Sequence, residues 1–451
     1  MDTYGIISLL PVAVVIVTAI ISKRAMESLL FGTFVGAIIF AKGAWWGTWL
    51  EYSFNQIGNS AYYIILFGMF GALIRLLDES GAAMGFADIA TKYSNSAKKT
   101  QLFAWVLGII IFVDDYLNAL AVGIAMRDLA DKWKISREKL AFIINSTGAS
   151  VCVLIPVTAW AIFYAGQIEE TNAVKGMTGL EAYLHTIPFM LYAWLAVLVV
   201  PLFILGIIPT FGAMKKADQR ALETGRVFPD HYYEEGTVQE SEAVDLPKSS
   251  AINFIIPLLV CIAVCIYTKD VLTAMVITTP VAAIMLMVQK KLTIGGFCDA
   301  LVNGFKDMLY IMMLLISAFV LQDFNDALGL TPYVIGLVEP IMSPALLPVI
   351  SFIVVAGLAF CTGSFWGVAA ITLPIIVSLS ATLDVNMFLA VATVICGSVF
   401  GSHACFYSDA VTITCASTGI KNMEYAKTAV PLILVPAGLS IIGFIIMGFI
   451  F

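Results

Sequence analysis

Two adjacent carboxylates, Asp114 and Asp115, lie at the centre of a run that is otherwise apolar, IIIFVDDYLNALAVG. The nearest basic residues are Lys99 before this run and Arg127 after it. At about 1.5 Å per helical residue, the pair falls near the middle of a bilayer, where a charged residue costs at least about 2.5 kcal/mol. Ionisable residues in such positions usually mark a path for an ion or a substrate.

The chemistry that this pair supports is the coupled binding of a cation and a proton. Two close carboxylates titrate together, so one can coordinate a cation while the other takes or releases a proton. Asn118 follows three residues after Asp115, and in a helix its amide would lie on the same face. The alternative is a buried polar network that only holds helices together.

A second polar group surrounds Asp409, which also lies in an apolar segment. The cost of an acid inside a membrane predicts an ion or proton site, and the alternative is a carboxylate that caps a nearby helix. Ser402 and His403 precede Asp409, and Ser408 is adjacent to it. His403 is the only histidine in a candidate site, where it would couple to protons or serve as a hydrogen-bonded structural group.

Two short stretches of small polar residues complete the candidate site. They are Asn145, Ser146 and Thr147 in the first half of the chain and Thr362, Gly363 and Ser364 in the second. Their amide and hydroxyl groups can replace water around an ion or a substrate carboxylate. The alternatives are turn chemistry for the first stretch and a purely conformational role for the glycine.

The composition shows which elements must hold these residues. Of 451 residues, 60% are hydrophobic and 12% are charged, against about 25% charged in a soluble domain, and the mean hydropathy is +0.95. This predicts an all-α polytopic membrane protein, since the alternating segments of a β-barrel are absent. The eight cysteines have no metal-ligand or disulfide spacing, and no phosphate-binding loop or nucleophile motif occurs. We therefore expect gradient-driven transport and no enzymatic activity.

Long apolar segments recur along the whole chain and predict membrane spans. They cover residues 5–22, 26–42, 59–77, 101–126, 186–208, 251–267, 271–288, 306–324, 346–380 and 427–450. Residues 139–165 and 386–418 are apolar but rich in Gly, Ser, Thr and Pro. We divide the chain into a first transmembrane repeat (1–212), a hydrophilic inter-repeat loop (213–250) and a second transmembrane repeat (251–451).

The two halves place unusual features at corresponding positions. With an offset of about 248 residues, the polar break at 113–118 falls opposite 361–366, and INSTGASVC falls near CGSVFGSHA. Paired interruptions of this kind indicate the binding site of a transporter. We predict two inverted repeats, each with a broken transmembrane helix (101–126 and 346–380) and a re-entrant hairpin (139–165 and 386–418).

Specific motifs then resemble a known family. FVDDYLNALAVG at 112–123, SREKLAFIINSTGASVC at 136–152 and GSVFGSHACFYSDAVTITCASTG at 397–419 look like the signatures of the NhaC-type sodium/proton antiporter family, within the ion transporter superfamily. The resemblance covers both halves in the same order. It implies sodium/proton antiport, with sodium as the coupling ion and no cofactor.

The resemblance and the residue chemistry together define the predicted sites. Ions and protons would bind at Asp114, Asp115, Asn118 and Asp409, with Asp115, Asn118 and Asp409 holding sodium. A substrate would meet Asn145, Ser146, Thr147, Thr362, Gly363, Ser364, Ser402, His403 and Ser408.

The chain also departs from the family pattern. Family members commonly have Asp in place of Asn145 and of Ser402, and Pro in place of Ser150. A site with fewer fixed negative charges suits a substrate that carries its own carboxylate. The alternative function is therefore sodium- or proton-coupled transport of a small organic solute, such as an amino acid or a hydroxy-carboxylate. A channel is a third class, which does not need paired half-sites.

The location and partners follow from the same reading. We expect an integral protein of the bacterial cytoplasmic membrane, surrounded by lipid and without nucleic-acid contacts. Gly32 and Gly36 predict close helix packing within the chain, and they leave a homodimer open. The positive-inside rule assigns Lys215 and Lys216 to the cytoplasm, whereas the predicted crossings put the basic residues of 132–139 outside.

Overall fold

The computed structural model describes residues 4–22, 25–82, 95–112, 115–156, 158–171, 176–234, 250–268, 270–341, 343–363 and 365–450. Two predicted site residues, Asp114 and Ser364, lie outside these ranges. All regular secondary structure in the described ranges is helical, and several helices are strongly apolar. The prediction of an all-α polytopic membrane protein is confirmed.

The helices of the first half precede a polar segment that is itself partly helical. The first half contains α1 (Leu10–Ser22), α2 (Ala25–Ala41), α3 (Trp45–Asn59), α4 (Ala61–Glu79), α5 (Ala97–Ile110), α6 (Asp115–Lys132), α7 (Arg137–Thr147), α8 (Ala149–Cys152), α9 (Ala159–Glu170), α10 (Gly179–Thr186) and α11 (Leu191–Leu205). The polar segment contains α12 (Gly212–Thr224) and α13 (Asp230–Glu234).

The second half repeats much of this order. It contains α14 (Ile252–Thr268), α15 (Val271–Val288), α16 (Ile294–Ala327), α17 (Leu330–Val338), α18 (Leu347–Thr362), α19 (Phe365–Thr382), α20 (Met387–Ala404), α21 (Asp409–Thr418) and α22 (Asn422–Ile450).

Four helical segments in the described ranges are long and apolar enough to cross a membrane. They are Met26–Asn59, Phe365–Thr382, Met387–Thr418 and Asn422–Ile450, and the bent pair Gly179–Phe189 and Leu191–Leu205 makes a fifth if it counts as one span. The most apolar window of Met387–Thr418 is 89% buried, against 28% for Asn422–Ile450. The segment that carries Asp409 therefore lies inside the helical bundle and not against lipid.

Four helices in each half begin at a constant spacing. α5, α6, α7 and α9 begin at residues 97, 115, 137 and 159, and α18, α19, α20 and α21 begin at 347, 365, 387 and 409, in each case 250 residues later. Side-chain caps recur as well. Thr158 accepts a hydrogen bond from Ala161 N at the start of α9, and Ser408 accepts one from Val411 N at the start of α21.

Helix α5 begins, and helix α6 ends, at the same end of the bundle, next to α12. At the start of α5, Lys98 Nζ donates to Leu205 O over 3.0 Å, just before α12. At the end of α6, Asp131 binds Arg137, which donates from its backbone N to Val227 O just after α12. Because both ends meet the same segment, α5 and α6 run in opposite directions through the bundle.

The segment α20–α21 instead continues through the bundle. Its two helices form one 32-residue span, broken at residues 405–408. It ends at Thr418, whose carbonyl accepts from Arg137 Nη1 at 3.1 Å, beside the start of α7. Since α11 later returns to the α12 end at Leu205, α7, α8 and α9 also carry the chain from one end of the bundle to the other.

The prediction of which segments double back is therefore wrong. Residues 386–418 form a broken span and not a hairpin, and the turns fall within 101–126 and 346–380. At 346–380 the turn is made by Gly363, and Ala345, before α18, packs against Gly448 near the end of α22. The same polar pattern occurs at a turn and at a break, because both leave backbone groups that need polar partners.

The predicted inter-repeat loop contains a helix that covers the start of α7. Arg220 Nη2 of α12 donates to Glu138 Oε1 and Oε2 over 2.9 Å, and Lys139 Nζ lies 3.7 Å from Asp218 Oδ2. Glu138 is buried at 1% exposure, so its carboxylate depends on Arg220 for a compensating charge. The basic residues of 137–139 thus lie beside α12 and not at the opposite end.

Glycines allow the closest helix crossings. A Cβ on Gly304 of α16 would lie 2.2 Å from the backbone N of Ala72 in α4, and one on Gly401 of α20 would lie 2.2 Å from Ala359 Cβ in α18. Gly32 and Gly36 pack against Leu321 and Phe324 of the same chain. Small residues at these crossings let the backbones approach, as is common between helices in a membrane.

Candidate functional site

The first part of the candidate site is the start of α6, where Asp115 is 5% exposed. Its Oδ1 accepts a hydrogen bond of 3.1 Å from Trp160 Nε1, at the start of α9. A Cβ on Gly148, between α7 and α8, would lie 3.6 Å from Asp115 Cβ. The carboxylate therefore lies where the turn between α5 and α6 meets the break of the first crossing segment.

Asn118 connects these two interruptions. Its Nδ2 donates to Ile111 O over 3.0 Å, after the last turn of α5, and is 3.5 Å from Thr147 O at the end of α7. Cys152 Sγ lies 3.3 Å from Phe112 O, which brings α8 to the same turn. The side-chain oxygen of Asn118 is fully buried and has no hydrogen-bond partner among the described residues. Backbone carbonyl oxygens and the amide oxygen of Asn118 therefore lie close together at these interruptions.

Asp409 meets the same region through a tyrosine. Tyr116, next to Asp115, donates its phenolic hydrogen to Asp409 Oδ2. Asp409 is the first residue of α21 and is 6% exposed, and its Oδ1 accepts from Ala410 N over 2.7 Å. The adjacent Ser408 caps the helix and donates to Ser402 O over 2.9 Å. The two described carboxylates of the prediction are therefore linked by adjacent residues of α6.

Asn145, Ser146 and His403 form a polar network where the end of α7 meets the end of α20. Asn145 Nδ2 donates to His403 O over 3.0 Å and to the Tyr425 hydroxyl over 2.6 Å. His403 is 2% exposed, and its Nε2 and Nδ1 lie 3.0 Å from Ser146 Oγ and 2.9 Å from Tyr192 Oη. Both imidazole nitrogens are occupied by hydroxyl groups, so His403 connects α7, α11 and α20.

The remaining predicted residues lie at the second turn and beside the network. Thr362 Oγ1 donates to Leu358 O over 2.8 Å, and Thr147 Oγ1 donates to Ile144 O over 2.9 Å. Gly363 has a φ of +70°, and a Cβ there would lie 2.7 Å from the Tyr407 ring. The next described residue, Phe365, stacks on Trp160 with ring centroids 4.8 Å apart. The second turn thus reaches the indole that binds Asp115.

Sequence reasoning missed the aromatic residues of this region. Tyr116 lies inside the motif that contains Asp115, so a tyrosine next to an acid in an apolar run could have indicated it. Trp160, Tyr192 and Tyr425 had no such signal, because their partners lie far away in the sequence. Each is fully buried and binds a predicted site residue.

The donor set favours a hard cation over a transition metal. Within the described ranges, no group of three or more His, Cys, Asp or Glu residues is arranged to hold a metal ion. The carboxylate of Asp115, the Asn118 amide oxygen and the carbonyls at interrupted helix ends are instead oxygen atoms, a type of group that suits a hard cation.

A helical membrane protein whose interrupted segments gather buried carboxylates has the architecture of a secondary transporter. Comparison with known proteins agrees with this class. Residues 151–449 match the sequence profile of the "Na+/H+ antiporter family". Since this match covers more than half of the chain, the protein belongs to that family, which is a family of transporters and not of enzymes.

One curated relative matches nearly the whole chain. It is an uncharacterized protein of Haemophilus influenzae, which is 25% identical over 98% of this chain and 91% of the relative. The match extends the similarity to the first half, where α5, α6 and α7 build the region around Asp115.

Proposed function

We propose that this protein exchanges sodium for protons across the cytoplasmic membrane, as its NhaC-type motifs imply. The observation that carries the proposal is the meeting of Asp115, Asn118 and Asp409 at interrupted helices inside the bundle. A buried carboxylate beside freed carbonyls can take a cation, and a second carboxylate nearby can hold a proton when the cation leaves. Membership of the Na+/H+ antiporter family supports this exchange.

The sodium ligands in this proposal come from the first turn. Asp115 supplies the charge, the Asn118 amide oxygen supplies a neutral ligand, and backbone carbonyls at the end of α5 complete the set. The buried Asn118 oxygen supports this assignment. Burying an acceptor without a hydrogen-bond partner costs about 1–3 kcal/mol of stability, and coordination of an ion would offset this cost.

We infer that the two halves are inverted repeats. The α5–α6 pair opens toward α12, whereas the α18–α19 pair opens toward the far end, where α22 finishes. The crossing segments α7–α9 and α20–α21 start from opposite ends, and the constant spacing of 250 residues supports a common origin. Two half-sites of opposite direction suit alternating access around one central site.

The second candidate is coupled transport of a small solute that carries its own carboxylate. Ser150 and Ser402 support it, because their hydroxyl oxygens are buried without a hydrogen-bond partner among the described residues. A hydroxyl can donate to a carboxylate, whereas the aspartate that family members commonly have in place of Ser402 would repel one.

The experiment that tests the proposal uses the purified full-length protein in liposomes that contain a pH-sensitive dye. An outward proton gradient should be dissipated on addition of sodium, without any organic solute. Asp115→Asn should abolish this flux, whereas Asp230→Asn, at an exposed residue of α13, should retain it. Flux that needs an added amino acid or hydroxy acid would show solute transport instead of antiport. Full activity of Asp115→Asn would show that this carboxylate is not part of the ion site.

A further inference from the structure

The short connection from α12 into α13, residues 226–232, lies across the end of the bundle where α7 begins and α21 ends. Val227 O accepts hydrogen bonds from Arg137 N at the start of α7, over 3.0 Å, and from Arg220 Nη2 of α12, over 3.2 Å. Val227 is 7% exposed. The connection is thus anchored to α12 on one side and to the first crossing segment on the other.

Two aromatic rings bind the same connection to the end of the second crossing segment. The Phe228 ring lies 4.8 Å from Arg137 Cζ, and a Cβ on Gly419, just after α21, would lie 3.4 Å from this ring. The hydroxyl oxygen of Tyr232, which is 4% exposed, accepts a hydrogen bond of 2.6 Å from Lys421 N. The Tyr232 ring also lies 5.3 Å from Lys421 Nζ. Phe228 and Tyr232 therefore cover the place where the two crossing segments meet.

The helices beneath this cover lead to the candidate site. α7 ends at Thr147 and α21 begins at Asp409, so both connect the α12 end with the residues around Asp115. Between these two helices, Thr414 Oγ1 lies 3.5 Å from Asn145 Oδ1. Hydroxyl side chains are mostly exposed in proteins, but α21 has buried ones, 0–1% exposed, at Thr412, Thr414, Ser417 and Thr418. An ion path along this polar helix would reach solvent under residues 226–232.

We propose that residues 226–232 are a latch that closes the α12 end of the ion path and is released when that end opens. The inference rests on the proposed exchange, because alternating access requires one end of the path to be shut while the other is open. The ion pair of Arg220 with Glu138 keeps α12 on α7. The latch instead meets the second half through a hydrogen bond and ring contacts, which water can replace when the latch is released.

Two native cysteines can report on the latch. Cys415 of α21 is 1% exposed, and its carbonyl accepts from Gly419 N, the residue against which Phe228 packs. Cys396 of α20 is 0% exposed and lies on the other side of the break at residues 405–408, so it reports general loosening of the bundle. The purified full-length protein in detergent is treated with N-ethylmaleimide, and mass spectrometry gives the alkylation rate at each cysteine.

Tyr232→Phe is the variant that tests the latch. It removes only the hydroxyl that binds Lys421 N, so the latch should be released more often and Cys415 should react faster. The increase should be roughly three- to tenfold, the effect of one hydrogen bond on the open population, while the rate at Cys396 stays unchanged. The matched control is Tyr233→Phe in the same helix. The Tyr233 ring lies 5.2 Å from Arg226 Cζ, and its variant should leave the Cys415 rate at the wild-type value.

The results at the two cysteines decide whether the latch closes this end. Equal rates at Cys415 in the wild type and in Tyr232→Phe would show that it does not. Equal increases at Cys415 and Cys396 would show general loss of packing and overturn the inference as well. Should Tyr232→Phe not fold, Phe228→Leu, which removes the ring between Arg137 and Gly419, must show the selective increase at Cys415 for the inference to stand.

A comparison of ions separates a latch from a permanent clamp and from the proposed function. In a wild-type protein that exchanges sodium and protons, the Cys415 rate should differ between sodium and potassium buffers, because a bound ion shifts the population of the open state. An identical rate in the two buffers would show a permanent clamp. If the wild type shows no exchange in liposomes while Tyr232→Phe still exposes Cys415 selectively, the proposed function fails and the closure of this end stands.

Discussion

At the scale of single residues, the site consists of polar groups whose partners come from distant parts of the chain. The sequence indicates Asp115, Asn118 and Asp409 as candidates because acids and amides stand out in apolar runs. It did not identify Trp160, because an indole donor in an apolar segment has the composition of an ordinary core. Candidate site residues can thus be proposed from unusual residue types in the sequence, whereas the residues that contact them are known only from the packing.

Gly363 permits a residue-scale prediction. Its φ of +70° disfavours any other residue, and so does the Tyr407 ring, which would lie 2.7 Å from an added Cβ. Gly363→Ala should destabilise the protein by about 1–3 kcal/mol, because left-handed backbone and a steric contact each cost energy. Thermal unfolding in detergent would measure this as a lower Tm.

Gly357 is the matched control in the same helix. It lies within α18, and nothing occupies the space within 4 Å of a Cβ there. Gly357→Ala should be neutral or stabilise by up to about 1 kcal/mol, since alanine is the better helix former. An equal loss of Tm in both variants would show that the turn at Gly363 imposes no special constraint.

At the scale of elements, the sequence located the interruptions around both half-sites but assigned their geometry wrongly. The polar stretches at 113–118 and 361–366 predict breaks in long helices, whereas the chain turns back at both places. Hydropathy indicates how apolar a segment is, but it does not indicate the direction in which the chain continues after an interruption. That direction is set by contacts such as Arg137 with Thr418, which only the fold reveals.

The helix α12 permits an element-scale prediction. Arg220 of α12 is paired with Glu138 at the start of α7, and the two side chains are 15% and 2% exposed. Arg220→Met would leave Glu138 as a buried charge without its cation, which costs about 3–5 kcal/mol. The Tm should fall by several degrees, and limited proteolysis after α12 should become faster because the helix no longer holds to α7.

A more exposed ion pair on α22 provides the control. Lys427 and Glu424 also lie 2.9 Å apart, but the lysine side chain is 38% exposed. Lys427→Ala should change stability by no more than about 1 kcal/mol, because surface pairs are screened by water. If Arg220→Met were as mild as this control, α12 would be held to α7 by its apolar contacts alone.

At the scale of the whole molecule, the basic residues define one end. Lys98, Arg137 and Lys139 lie near α12, which also carries Lys215 and Lys216. The sequence-based topology put these groups on opposite sides because it assigned the turn and the break to the wrong segments. Since α5 and α6 run in opposite directions, the basic residues lie at one end. By the positive-inside rule, we propose that this end faces the cytoplasm.

Labelling from one side of the membrane tests this orientation. In a background with the exposed Cys298 replaced by Ser, Lys216→Cys on α12 should react with an impermeant maleimide in inverted vesicles but not in intact cells. Met177→Cys should react in intact cells, because Met177 is 44% exposed and precedes α10, on the far side of the first crossing segment. Labelling of both variants from the same side would contradict the single crossing by α7, α8 and α9, and with it the inverted arrangement. The opposite pattern would keep that arrangement and reverse its orientation.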